Sequence, residues 1–153
     1  MKRRHFLMTV AAACAAPLAP ALAAGFEVTL TEAEWRARLT DAQYRVLREA
    51  DTEAAGSSPL DHQFAAGTYS CAGCDLPLYS SEAKFDSGTG WPSFYAPLEN
   101  AVGTKPDPGW FGDRTEVHCR RCGGHLGHVF NDGPAPTGKR YCMNGAALVF
   151  NAA

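Results

Sequence analysis

The sequence predicts a mainly β, mostly antiparallel domain that is preceded by short helices. Its 153 residues include 15 Gly and 10 Pro, many of which separate short apolar runs, as turns between strands require. A helical pattern is confined to residues 31–50. Two Cys-x-x-Cys pairs are the third observation, because such pairs are typical of structural zinc sites in small domains.

Residues 31–50 are predicted to form a helix in two pieces. Thr31 followed by Glu34 is a capping-box pattern, which marks the start of a helix. Thr40 followed by Gln43 repeats the pattern and marks a second start. The apolar face of this segment is supplied by Trp35, Leu39, Val46, Leu47 and Ala50.

From about residue 67, short apolar runs alternate with clusters of Gly, Pro, Asp and Asn, which predicts strands separated by turns. The predicted strands are 68–71, 76–79, 93–95, 115–119, 125–130, 140–143 and 146–150. Residues 100–113 hold three Gly, two Pro and two Asp, and we interpret them as an irregular surface loop. Residues 134–138 are interpreted as another loop.

Residues 1–23 have the three-part layout of a secretory signal peptide. Three basic residues open the segment, and residues 6–16 form an apolar run that is too short to span a bilayer. Small residues follow at positions 21 and 23, which a signal peptidase reads. The alternatives are a short N-terminal anchor and a buried helix.

The pair Arg3-Arg4 resembles a twin-arginine export signal, whose route carries folded proteins. We therefore expect a periplasmic protein whose mature domain spans residues 24–153. Cys14 raises the question of a lipoprotein, but the residues before it lack the larger aliphatic residue usual at the start of a lipobox. We expect Cys14 to be removed with the signal peptide.

The charge of the chain excludes some classes of partner. Residues 1–23 carry three basic and no acidic side chains, so their removal changes the formal net charge from −2 to −5. A mildly acidic chain without a basic stripe is a poor candidate for binding nucleic acid. No stretch after the signal peptide is long and apolar enough to predict a stable membrane span.

Cys71-x-x-Cys74 and Cys119-x-x-Cys122 are predicted to bind one structural zinc ion. The two-residue gap lets both sulfurs of a pair face one point, and Zn²⁺ takes four thiolates in a tetrahedron. Such a closed site leaves no open position for water or substrate. Two disulfides are the alternative in an exported protein, although a Cys-x-x-Cys disulfide closes a very short loop. Export after folding would let the metal load while the thiols are reduced.

Cys142 is the one cysteine left after the signal and the zinc pairs are subtracted. An unpaired cysteine in an exported protein suggests a reactive thiol, whereas the alternative is a small buried core residue. Lys139 and Arg140 lie close in sequence and would favour a thiolate by lowering the pKa of Cys142. They are equally well explained as two solvated charges.

His125, His128 and Trp91 are further candidates for a site. Alternation along a strand would place the two histidines on opposite faces, but Gly127 between them permits a local bulge. Histidines in this position are alternatively zinc ligands, surface residues or hydrogen-bonded core residues. Trp91 lies between Gly90 and Pro92, where a tryptophan is as often a packing anchor as the wall of a binding site.

Taken together, these motifs resemble the methionine-R-sulfoxide reductase family, and the resemblance covers nearly the whole predicted mature chain. The motifs that carry it, in chain order, are Phe85-Asp-Ser-Gly-Thr-Gly-Trp-Pro-Ser-Phe94, Cys119-x-x-Cys122, His125-Leu-Gly-His-Val-Phe130, Asp132-Gly-Pro134, Pro136-Thr-Gly138 and Arg140-Tyr-Cys-Met-Asn144. The fold that the resemblance implies is a β domain of two antiparallel sheets with a few helices.

The resemblance also implies roles for individual residues. Cys142 matches the catalytic cysteine, and Trp91 matches the tryptophan of the substrate pocket. The residues that bind or protonate the sulfoxide match His125, His128 and Asn144, with His128 as the proton source. The ligands of the structural zinc match Cys71, Cys74, Cys119 and Cys122.

The implied activity is the reduction of methionine-R-sulfoxide in oxidised proteins, a repair reaction of the oxidative stress response. Thr89 stands where many relatives carry a resolving cysteine, so the sulfenic acid left on Cys142 needs an external, thioredoxin-like thiol. Two other functions compete with this interpretation: a non-catalytic, zinc-stabilised β binding module, and a thiol–disulfide exchanger that uses the Cys-x-x-Cys pairs.

Overall fold

A computed structural model describes residues 25–109 and 112–153. The predicted signal peptide, with Cys14, lies outside the described residues. Helix α1 spans Glu32–Arg38 and helix α2 spans Asp41–Glu49. The Thr31 side chain accepts a hydrogen bond from the Glu34 backbone N–H, while the Glu34 carboxylate accepts one from the Thr31 N–H. Thr40 and Gln43 make the same pair of bonds, so the prediction of two capped pieces is confirmed.

The described strands form two antiparallel sheets, which confirms the predicted fold class. A three-stranded sheet has the order β2-β1-β9, and a six-stranded sheet has the order β3-β4-β8-β7-β6-β5. The strands are β1 (Gly67–Cys71), β2 (Pro77–Ser80), β3 (Lys84–Phe85), β4 (Ser93–Phe94), β5 (Val102–Gly109), β6 (Gly112–Cys119), β7 (His125–Phe130), β8 (Arg140–Met143) and β9 (Leu148–Ala152).

Aromatic side chains join the two sheets in one core. Tyr79 of β2 stacks on Phe94 of β4 with ring centroids 4.3 Å apart, and Tyr69 of β1 meets the same ring edge-on at 5.0 Å. All three side chains are fully buried. Such pairs contribute roughly 0.5–1.5 kcal/mol each beyond the burial of their area.

The helices cover the turns that hold the cysteine pairs. Trp35, Val46 and Leu47 are buried, and Trp35 lies beside Gly73 in the first Cys-x-x-Cys turn. Arg48 of α2 donates to the carbonyl of Cys122 at 3.0 Å in the second turn. The N-terminal helices therefore hold both turns against the sheets.

The prediction that residues 100–113 form an irregular loop is wrong. Val102–Gly109 is strand β5, which pairs with β6 throughout its length. Pro106 and Pro108 are tolerated because β5 is the edge of the six-stranded sheet, where a residue without an N–H breaks no ladder on its outer side. None of the helices in the described residues is long and apolar enough to cross a membrane.

Candidate active site and metal centre

Three adjacent strands bring the predicted catalytic segments together. In β8, Cys142 pairs with Ser93 of β4 on one side and with His128 of β7 on the other. Gly127 lies so close to β8 that a Cβ there would be 2.1 Å from the carbonyl oxygen of Cys142. Only glycine allows this approach, so the sequence of β7 fixes how closely His128 lies to the cysteine.

A bulge in β7 places both histidines on one side of the sheet. Val117 pairs with Gly127 and the next residue, His118, pairs with His125, so Leu126 is the extra residue. The rings of His125 and His128 meet edge-on with centroids 5.3 Å apart. The local irregularity that Gly127 permits is therefore present.

A cavity of about 160 Å³ opens beside Cys142. Its size suits one side chain, since pockets for whole drug-sized ligands occupy roughly 300–1,000 Å³. Four of the predicted site residues line it, and His125 does not. The lining residues are Thr52, Trp91, Arg114, Gly127, His128, Phe130, Cys142 and Asn144.

Cys142 is half-buried, and this burial raises the pKa of its thiol above the ordinary value. Hydrogen bonding from Thr89 and the positive charge of Arg140 lower the pKa and oppose the burial without cancelling it. The positive charge of Arg140 does favour the thiolate, as one of the two alternatives allowed, but the net shift of the Cys142 pKa is upward because removing the thiolate from water outweighs the nearby cation.

The two basic residues before Cys142 have different environments. Arg140 forms a paired contact with the Asp132 carboxylate at 2.9 and 2.8 Å and lies over the Phe130 ring. Lys139 is exposed and its ammonium group donates to Asn131 Oδ1 at 2.5 Å. Arg140 is thus the one that acts on Cys142, and Lys139 is a solvated charge.

Three hydroxyl groups lie in a row next to the thiol. Thr89 Oγ1 is 3.9 Å from Cys142 Sγ, and Ser87 Oγ is 2.8 Å from Thr89 Oγ1. Ser93 Oγ is 2.7 Å from Ser87 Oγ and donates to the Trp91 carbonyl. Thr89, where the sequence resemblance implies a resolving cysteine in many relatives, therefore places a hydroxyl in contact with the thiol.

His128 is held by a carboxylate on the edge strand. Its Nε2 is 2.7 Å from Asp107 Oδ2, and Arg114 donates to the same oxygen at 2.8 Å. The hydrogen bond with His128 and the charge of Arg114 hold the pKa of Asp107 below its ordinary value. The carboxylate therefore stays ionised beside the ring at neutral pH.

His125 is buried behind His128. Glu116 Oε1 lies 3.3 Å from its Nδ1, but among the described residues neither ring nitrogen has an aligned hydrogen-bond partner. Burial lowers the pKa of His125, and the neighbouring Glu116 charge only partly opposes this. His125 is therefore neutral at physiological pH.

Trp91 and Asn144 are both held by one residue that the sequence did not single out. The Trp91 indole N–H donates to the carbonyl of Glu53 at 3.1 Å. Asn144 Oδ1 accepts from the Glu53 backbone N–H at 3.0 Å, while its Nδ2 donates to the carbonyl of Leu126. The indole thus has its polar edge satisfied by the backbone and keeps its apolar surface for the cavity.

The four paired cysteines form one cluster with metal-binding geometry. Cys71, Cys74, Cys119 and Cys122 are all buried, and their sulfurs lie within 4.8 Å of one another. The Cys71–Cys122 and Cys74–Cys119 sulfur distances are 3.7 and 3.5 Å. A tetrahedron of sulfurs about 2.3 Å from one ion requires separations of about 3.8 Å, so these residues fit a Zn²⁺ ion. Their burial disfavours thiol–disulfide exchange.

Comparisons with known proteins identify the family of the chain. Residues 39–152 match the SelR domain. A protein of Leptospira interrogans named peptide methionine sulfoxide reductase MsrB is 50% identical over 126 residues, which is 82% of this chain and 96% of that protein. A protein of the same name in Thiobacillus denitrificans is 55% identical over 122 residues, or 79% and 92% of the two chains. The chain belongs to this methionine sulfoxide reductase family.

Two polar residues that contact the candidate site, Asp107 and Glu53, are not predicted from the sequence. Asp107 was missed because its segment was interpreted as a loop. Glu53 was missed because it belongs to no motif. The signal for Asp107 was the Arg114-Thr-Glu116 run after the turn, which pairs directly with β5 once the hairpin is recognised. No comparable signal marks Glu53, since its partners are mainly backbone groups distant in sequence.

Proposed function

We propose that this protein reduces the R-epimer of methionine sulfoxide in oxidised proteins to methionine, with Cys142 as the nucleophile. The observation that carries the proposal is one cavity that combines the unpaired Cys142 thiol, the indole of Trp91 and His128. Family membership supports the same activity, since the relatives are named peptide methionine sulfoxide reductases. The size of the cavity suits the methyl sulfoxide end of one side chain.

The reaction transfers one oxygen atom from the substrate to Cys142. The thiolate attacks the sulfoxide sulfur and forms a sulfur–sulfur bond, while the sulfoxide oxygen takes up a proton. That bond then breaks as the hydroxyl group moves to the Cys142 sulfur. The products are methionine, which is reduced by two electrons, and Cys142 sulfenic acid, which is oxidised by two.

His128 is the residue best suited to supply the proton. It lines the cavity next to Cys142, and the hydrogen bond between its Nε2 and the Asp107 carboxylate holds the ring in place. His125 is buried and neutral, which suits a residue that orients His128 or a water molecule. Asn144 is the third polar side chain implied in sulfoxide binding, and Trp91 holds the substrate methyl group by apolar contact.

The sulfenic acid is then reduced by an external thiol. Thr89 lies beside Cys142, where it cannot form a disulfide, and the other described cysteines belong to the buried metal cluster. A thiol of a thioredoxin-like partner attacks the Cys142 sulfur, releases water and forms a mixed disulfide. A second thiol of the partner then restores Cys142.

The metal of the four-cysteine cluster is proposed to be zinc in a structural role. The four buried thiolates fill a tetrahedron and leave no position for substrate. The ligands come from the end of β1 and the end of β6, so the ion ties the two sheets together.

The proposed location is the periplasm, reached through a twin-arginine signal in residues 1–23. The basic start, the apolar run and the small residues at positions 21 and 23 support this proposal. Fractionation of cells that express the full chain, with mass spectrometry of the N-terminus, tests it. Full-length protein in the cytoplasm would contradict it.

The function is tested with an assay that resolves the two epimers of methionine sulfoxide in a peptide. The native protein is expected to reduce the R-epimer alone, and Cys142→Ser is expected to lose the activity while it keeps its fold and metal. Serine is close in size but a much weaker nucleophile at neutral pH. Reduction of the S-epimer alone would refute the proposal, and so would an active Cys142→Ser variant.

A further inference from the structure

Glu53 connects the residues on two sides of the active-site cavity. It follows Thr52, which lines the cavity, in the segment between α2 and the 3-10 helix Pro59–His62. Its backbone N–H donates to Asn144, and its carbonyl accepts the indole N–H of Trp91. The backbone of Glu53 alone therefore contacts two of the proposed substrate-binding residues.

The Glu53 carboxylate binds the turn that follows the catalytic strand. Oε1 accepts from the Gly145 N–H at 2.6 Å, and Oε2 accepts from the Ala146 N–H at 2.8 Å. These amides begin the 3-10 helix Gly145–Ala147, whose N-cap residue Asn144 makes no side-chain cap of its own. A carboxylate suits this position because both of its oxygens accept, whereas an amide would turn an NH2 group toward one of the two donors.

A second contact ties the same segment to the tryptophan turn. The Gly56 N–H donates to the Gly90 carbonyl at 2.7 Å. A Cβ on Gly90 would lie 2.8 Å from Gly56 N and 3.0 Å from Ala55 Cβ, so the two segments pack in direct contact. Residues 53–56 thus hold the Gly90-Trp91 turn, and the carboxylate anchors these residues to the end of β8.

We propose that Glu53 is a positioning residue that sets the orientation of the Trp91 indole relative to Cys142. Strands β4 and β7 fix the backbone of Cys142, but Trp91 lies in a bend just before β4 and its polar edge is oriented by the Glu53 carbonyl. Loss of the carboxylate frees the segment, so the indole loses its fixed place while the cysteine keeps its own. The inference rests on the proposed function, in which Trp91 holds the substrate methyl group.

Glu53→Gln tests the proposal because it is isosteric and removes only the charge and one acceptor. The KM for an R-sulfoxide peptide is expected to rise about tenfold, because one charge-assisted bond is lost and the other becomes a neutral bond. The alkylation rate of Cys142 by iodoacetamide is expected to stay within about twofold of native, since the thiol environment is unchanged. Trp91 fluorescence is expected to shift to longer wavelength, measured by subtracting the spectra of matched Trp91→Phe proteins.

Glu53→Asp and Glu99→Gln complete the experiment. Aspartate keeps the charge but is one methylene shorter, so the KM and the emission shift of Glu53→Asp are expected to lie between those of the native protein and those of Glu53→Gln. Glu53→Asp also tests the proposal if Glu53→Gln does not fold. Glu99 is exposed, and its substitution is expected to leave KM and emission unchanged. Native KM and native Trp91 emission in both Glu53 variants would overturn the proposal. Absence of R-sulfoxide reduction by the native protein would instead reject the proposed function, and the emission shift would still test the role of Glu53.

Discussion

Cys142 is subject to opposing influences on its ionisation. Burial raises the pKa of the thiol, whereas Thr89, Ser93 and Arg140 favour the thiolate. The thiolate is therefore a minor form of the free enzyme at neutral pH, and a change that further disfavours it should slow the first chemical step. Substitution of each of these residues therefore measures how much that residue contributes to the reactivity of Cys142.

Arg140→Ala is expected to slow both alkylation of Cys142 and single-turnover reduction at pH 7. Removing the cation raises the thiol pKa further, so the deficit should shrink as the pH rises and the thiol ionises in both proteins. Alkylation followed by mass spectrometry between pH 6 and 10 measures this. Lys139→Ala is the matched control, because Lys139 is bound to Asn131, and it should behave as native. A pH-independent deficit in Arg140→Ala would point to lost packing instead.

Thr89→Cys is expected to give the protein an internal resolving thiol. The Thr89 hydroxyl is 3.9 Å from the Cys142 sulfur, so a thiol at this position lies within reach of a disulfide after small side-chain rotation. One turnover with sulfoxide should yield a disulfide between the introduced thiol and Cys142 in the variant, and a trappable Cys142 sulfenic acid in the native protein. A disulfide from Cys142 to a metal ligand in the native protein would contradict the proposed recycling by an external thiol.

At the scale of elements, β7 and β5 differ in how far the sequence predicted them. The sequence predicted β7 at its observed bounds and allowed for a bulge at Gly127, because glycine between two histidines is a local signal. Strand β5 was missed, because two prolines and three glycines in the segment 100–113 resemble a loop when the partner strand is unknown. An edge strand needs hydrogen bonds on one side only, so it can contain proline. Whether a segment is an edge strand depends on the whole sheet, and the local composition does not reveal it.

Asp107→Asn tests what the missed strand contributes. The Asp107 carboxylate holds the His128 ring through a short hydrogen bond, so its loss should slow single-turnover methionine formation by about tenfold, which is less than the roughly 10²–10⁴-fold that a complete general acid contributes. Asp113→Asn, in the same hairpin but exposed, is the control and should keep the native rate. A native rate of methionine formation in Asp107→Asn would contradict the role of this carboxylate in holding His128.

At the scale of the whole molecule, the cysteine cluster links the two sheets. Its ligands could be predicted from sequence because the spacing of each pair carries the geometry, whereas the contacts of Glu53 depend on chain segments that meet only in the folded protein.

Cys119→Ser is expected to lose the metal and to lower Tm by about 10 °C or more, since metal binding adds to the free energy of unfolding. Metal analysis and thermal unfolding measure this, with Cys142→Ser as the control. A metal-free native protein with two disulfides would refute the zinc proposal.

Strand β8 lies inside the six-stranded sheet, with β4 and β7 bonded to its two edges. The backbone at Cys142 therefore cannot move outward to meet a partner without breaking both ladders, and the thiol has to be reached within its small cavity. Each molecule that reacts with Cys142 therefore has to bring its reacting group to the thiol. For the proposed recycling by an external thiol, we therefore expect a small dithiol, or a protein whose thiol projects from its surface, to reach Cys142 more readily than a partner whose thiol is recessed.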